Sequence, residues 1–176
     1  MARATRVDLR AFQQELAARL ASKTASEVES SRLGLASAGQ QWLVRLSDAG
    51  EVIAAPRIVP VPLTKPWFLG VANVRGNLYS VVDFGGFLGH APIAASGAGS
   101  AARLLLFGPR AGDLRAGIVV PQVLGLRNVA ALTPADPLPD ARLWYGQRWV
   151  DGSGSQWQEI DLVRFALDPE FLQVGL

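Results

Sequence analysis

The chain contains no cysteine. That excludes disulfide frameworks, thiolate zinc sites, CxxC redox chemistry and a cysteine nucleophile. Histidine occurs once, as His90, so metal sites built from two or more imidazoles and the HExxH class are excluded too. A Ser-His-Asp triad would have to use His90, which sits in a Gly/Ala/Pro-rich stretch with no GxSxG nearby. No glycine pattern matches GxGxxG or GxxxxGK[ST], so no phosphate-cradling loop is present. The 17 basic residues are nearly balanced by 15 acids, for a net charge of +2. They are scattered, whereas a nucleic-acid footprint needs a clustered stripe. No run of about 18 apolar residues exists to span a membrane. The opening MARATRVDLRAFQQ lacks the apolar stretch and cleavage site of a secretory signal, which makes the cytoplasm the expected location.

What is present is apolar and broken into short pieces. The 176 residues suit one domain, and 49% are hydrophobic against 18% charged, too apolar for a disordered chain. The 18 Gly and 11 Pro make an all-helical chain unattractive. Leu9, Phe12, Leu16 and Leu20 recur at helical spacing and predict one helix over 8–20. Residues 21–31, small and polar, read as a linker.

From Arg32 onward, strand-like runs alternate with turn residues: 32–37, 41–47, 51–58, 103–108, 114–126 and 127–132. Gly76-Asn77 separates two further β-type runs and signals a hairpin, with a short helical turn after Asp83. A second hairpin is expected around 151–155, with Trp149 and Trp157 flanking its turn. Residues 91–101 read as a mobile loop and 132–141 as a Pro-rich loop. Asp168-Pro169-Glu170 restarts a short C-terminal helix. The whole predicts an all-β sandwich or barrel. Val44, Leu46, Val81, Leu105, Val119, Val120 and Ile160 are expected in its core.

Candidate chemistry is sparse. Asp83 ends an apolar run and reads as a strand-end cap rather than a base. Glu159 and Asp161 share a strand face and read as solvated. The five tryptophans read as core and rim bulk rather than base-stacking platforms. The segment from Gly70 to Asn77 stands apart, because Arg75 precedes a turn glycine between two apolar runs. Glu51, at the head of an earlier strand, is its natural opposite charge.

GVANVRGNLYSVVDFGGFLG resembles the CheW family pattern GVxNLRGxxxPVxDLxxxLG at Gly70, Val71, Asn73, Arg75, Gly76, Val81, Val82, Asp83, Leu88 and Gly89. RLG at 32–34, Glu51-Val52, PVPLTKP, RLLLF at 103–107 and the Gly117-Ile-Val-Val strand match in order, over about residues 30–172. The N-terminal helix and the wording NVRGNLYSVVDF are closest to the branch that serves type IV pilus (twitching) systems. Ser80 stands where the family has Pro, Phe84 where it has Leu, and Pro121 where it has Asp.

The resemblance implies two SH3-like five-stranded β-barrels over 30–172, with residues 1–29 as an added helix and linker and a short C-terminal helix. The chain is expected to cross between the barrels near 90–102 and again near the C-terminus. It also implies no catalysis, no cofactor and no metal. The implied role is an adaptor joining the cytoplasmic tip of a methyl-accepting chemoreceptor to a CheA-like histidine kinase, within cytoplasmic, membrane-associated receptor arrays. The expected partner-binding residues are Glu51, Gly70, Asn73, Arg75 and Gly76. Two alternatives from other classes are a small β-barrel nucleic-acid-binding module, and an enzyme using Asp83 or Glu159 with His90.

Overall fold

A computed structural model describes residues 29–91, 102–139 and 141–176. The helix expected over 8–20, the linker as far as 28 and the loop over 92–101 lie outside the described residues.

Eleven strands are described: β1 (Ser31–Ser37), β2 (Gln40–Arg45), β3 (Ala49–Ala54), β4 (Phe68–Val74), β5 (Asn77–Asp83), β6 (Arg103–Phe107), β7 (Ala116–Val120), β8 (Gln122–Asn128), β9 (Thr133–Ala135), β10 (Tyr145–Val150) and β11 (Gln156–Ile160). Three single-turn helices join them: α1 (Phe84–Phe87), α2 (Leu162–Phe165) and α3 (Pro169–Leu172). Each helix starts at an aspartate, Asp83, Asp161 or Asp168, whose carboxylate accepts backbone N–H groups of the first turn.

The strands form two sheets, ordered β8-β1-β2-β11-β10-β9 and β3-β6-β7-β5-β4. The all-β, two-part architecture is as expected, but two details differ. The first sheet has a sixth strand, because Thr133–Ala135, read as loop, pairs with β10. Pro134 is tolerated there because β9 is an edge and its missing N–H breaks no interior ladder. The chain also does not cross between the halves near 90–102, since β5 and β6 both belong to the second sheet. It crosses between β2 and β3, and again at Pro121. That proline cannot donate to a ladder, and it splits the single apolar run 114–126 into β7 and β8 in different sheets.

Two parallel pairings close this arrangement, β2 with β11 and β5 with β7. Beyond β8, Val129–Ala131 forms a 3-10 turn rather than more strand, because the Asn128 side chain caps it through the Ala130 N–H.

The core explains why several strands read as unbroken apolar runs. Leu105, Phe107, Ile118 and Val120 face a cluster that also holds Leu35, Trp42 and Val44 of the first sheet, together with Phe84, Trp144, Phe165 and Phe171. Their neighbours Leu104, Leu106 and Val119 face a second cluster with Val74 and Val81. Period-two alternation with both faces buried leaves no polar face. Of the expected core residues, Val44, Val81, Leu105, Val119, Val120 and Ile160 are buried. Leu46 is only half-buried, because β2 ends at Arg45 and Leu46 opens the turn. Trp42, Trp67, Trp144 and Trp157 are buried, and Trp42, Phe84, Trp144 and Phe165 stack edge to face.

Candidate partner-binding site

The β4–β5 hairpin ends in a tight two-residue turn with an exposed tip. Its central residues are Arg75 at φ 51° and Gly76 at φ 84°. Positive φ at both positions is the type I′ pattern, whose twist matches the flanking strands. The turn is therefore Arg75-Gly76, and Asn77 pairs with Val74 as the first residue of β5, one position along from the sequence reading. Asn73 Oδ1 accepts the Gly76 N–H at 2.8 Å, which locks the tip.

Arg75 then reaches across to β3, where its Nη2 donates to Glu51 Oε1 at 2.6 Å. The arginine side chain is 77% exposed and the glutamate 39%. A shallow depression of about 600 Å³ lies beside the pair, lined by Glu51, Tyr79, Phe107, Asp113 and Arg115 among others.

Gly70 serves this tip from a distance. Its φ is +128°, and a Cβ there would lie 2.0 Å from the Val59 carbonyl oxygen. That close approach lets Val59 exchange backbone hydrogen bonds with Val71 at 2.8 and 2.9 Å, which straps the Pro-rich segment along β4. Of the five expected site residues, Glu51, Asn73, Arg75 and Gly76 come together at one end of the second sheet. Gly70 is a backbone requirement further along the hairpin.

The residues considered for catalysis are used otherwise. Asp83 is buried and caps α1 through the Gly86 N–H at 3.1 Å. His90 is exposed just beyond α1. Glu159 is not on a solvated face but 1% exposed. It lies 2.8 Å from Arg45 Nε and 3.3 Å from Arg32 Nε, and it accepts from Trp149 Nε1 at 3.1 Å. Burial alone would lower the Arg45 pKa, but the hydrogen bond and charge of Glu159, together with the charges of Asp161 and Asp48, outweigh it and leave it raised. Arg32 and Arg45 stand directly opposite each other on β1 and β2. Like charges in that position repel, and Glu159 is the acid that makes the pairing tolerable. Register, not composition, is the signal that would have located it. No group of three or more His, Cys, Asp or Glu side chains among the described residues can hold a metal ion.

Comparison with known proteins agrees with this frame. The CheW-like domain pattern matches residues 33–162. The chain is 32% identical to protein PilI of Pseudomonas aeruginosa over 133 residues, 76% of this chain and 72% of that one. It is 34% identical to protein FrzA of Myxococcus xanthus over 123 residues, 66% and 70% of the two chains. The crystal structure of the scaffolding protein TtCheW from Thermoanaerobacter tengcongensis superimposes with a TM-score of 0.62 at 17% identity, covering 75% of this chain and 88% of that one. The chain belongs to the CheW-like domain family.

Proposed function

We propose that this protein is a non-catalytic adaptor that couples the cytoplasmic tip of a methyl-accepting chemoreceptor to a CheA-type histidine kinase. Its likeness to PilI supports a place in type IV pilus, or twitching, signalling. The observation that carries the reading is Arg75, set at the tip of a strained turn and largely exposed. An exposed ion pair contributes only about 0–1 kcal/mol to folding, which is a weak reason to hold an arginine there. Arginine at the centre of an interface can contribute about 2 kcal/mol or more. In this reading Asn73 and Gly76 shape the tip, Gly70 braces the hairpin, and Glu51 orients the guanidinium.

The test is binding of full-length variants to the purified kinase and to a receptor signalling fragment. Arg75→Ala should keep the wild-type melting temperature and weaken binding to at least one partner by about 30-fold, the equivalent of 2 kcal/mol. Arg75→Glu should be worse. Recovery in the Glu51→Arg, Arg75→Glu double variant would identify an orienting pair, and no recovery would mean that Arg75 meets the partner directly. Wild-type affinity of Arg75→Ala for both partners would sink the proposal.

A further inference from the structure

Away from the Arg75 hairpin, a small crevice opens where the two sheets meet. It has a volume of about 190 Å³ and is lined by Gln40, Trp42, Leu88, His90, Arg142 and Tyr145, with Ala38 at its edge. Its walls come from the β1–β2 turn, the end of α1 and the entry to β10, so both halves of the molecule contribute.

Among the described residues no carboxylate lines the crevice, whereas five side chains with N–H or O–H donors do, of which the Trp42 indole N–H is already given to the Ser37 carbonyl. The Arg142 guanidinium is fixed over two rings, 5.3 Å from the Phe87 centroid and 5.8 Å from that of Trp144. Its Nη1 meets Glu170 Oε2 at 3.1 Å outside the crevice. Among the described residues its other N–H groups have no acceptor, and neither the Tyr145 hydroxyl, the Gln40 amide nor the His90 ring has a side-chain hydrogen bond. Burial raises the Tyr145 pKa above its ordinary 10.0, with Arg142 opposing it in part, so the hydroxyl keeps its proton at neutral pH. His90 carries a ring N–H in either charge state.

We infer that this crevice is a binding site for a single oxyanion, a carboxylate or a phosphate group, held by Arg142, Tyr145, Gln40 and His90. Its volume admits one such group and not a nucleotide. An acidic side chain of a protein partner and a free inorganic anion share this chemistry. The inference stands independently of the adaptor reading, because it rests on none of the residues at the Arg75 tip.

The experiment is an NMR titration of the full ¹⁵N-labelled chain at pH 7 with inorganic phosphate and with acetate, chloride holding ionic strength constant. Saturable shifts are expected at the amides of Ala38, Leu88, His90 and Tyr145. Arg142→Gln and Tyr145→Phe should each weaken binding by roughly tenfold or more, as loss of a hydrogen bond to a charged group does. Arg57→Gln, an exposed arginine elsewhere, should change nothing. If Arg142→Gln fails to fold, Tyr145→Phe decides, because it removes a single oxygen. Displacement of phosphate by a short neutral-flanked aspartyl peptide would identify a partner side chain as the source. Failure of that peptide alone, with phosphate still bound, would identify a free anion. Linear, non-saturating shifts, or binding indifferent to both variants, would overturn the inference.

Discussion

Arg75 occupies a backbone conformation that costs a non-glycine residue about 1–2 kcal/mol, less for asparagine. Its exposed ion pair with Glu51 returns no more than about 1 kcal/mol. Asn-Gly is the favoured pair for this turn, so Arg75→Asn should hold or raise the melting temperature by about 2–4 °C while weakening partner binding. Glu159 presents the opposite case, a charge whose value is internal. Glu159→Gln keeps the shape but leaves Arg32 and Arg45 without their acid, and urea unfolding should show a loss of about 3–5 kcal/mol. Asp151 adds a pH dependence. Hydrogen bonds from the Ser153 hydroxyl and Trp157 Nε1, then from the backbone N–H groups of Ser153 and Ser155, hold its carboxyl pKa down to about 2. The folded value lies below the unfolded one, so this contribution is present above about pH 4 and is lost as pH falls toward 2. In thermal melts, the advantage of wild type over Asp151→Asn should therefore shrink across that window. A constant difference from pH 7 to pH 2 would contradict the assignment.

The β4–β5 hairpin separates what local sequence discloses from what it hides. Two β-type runs around a glycine disclose the hairpin itself, because a two-residue turn is a short-range event. The one-residue shift in its turn was hidden, since Asn73 capping the Gly76 N–H depends on strand register. Gly70 looks like any strand glycine until Val59 is placed against it. Gly70→Ala should break the Val59–Val71 pairing, speed amide exchange at both residues and lower the melting temperature. Gly39→Ala is the control, because Gly39 has φ +70° and open space around it. It should suffer only the left-handed penalty, with amide exchange at Val59 unchanged. If the two variants behave alike, the close approach at Gly70 is not what the position requires. The β10–β11 hairpin was legible on the same local grounds, with Trp149 opposite Trp157. The short strand β9 was not, because three residues containing a proline carry no periodicity of their own.

At the scale of the molecule, composition and turn spacing disclosed an all-β chain and the family resemblance implied its two halves, but neither told which strands belong to each. Sequential halving assigns β1–β5 to one unit, yet the first sheet takes β1 and β2 from the start and β8–β11 from the end, enclosing the whole of the second sheet between them. The parallel β2–β11 pairing joins residues more than a hundred positions apart, which no local pattern records. This interleaving has a mechanical consequence. Phe84 on α1, Leu105 and Ile118 of the second sheet share one cluster with Trp42 and Ile160 of the first and with Phe165 on α2. Neither sheet can unfold without exposing the inner face of the other. The two halves should therefore melt in one cooperative transition. Methyl NMR signals of Val74 and Val119, inside the second sheet, and indole signals of Trp157, on the far side of the first, should report the same urea midpoint. Phe84→Ala, which removes a fully buried ring at the junction, should cost about 3–5 kcal/mol and move both midpoints together. If only the second-sheet midpoint falls, the halves are separable units and the shared cluster does not couple them.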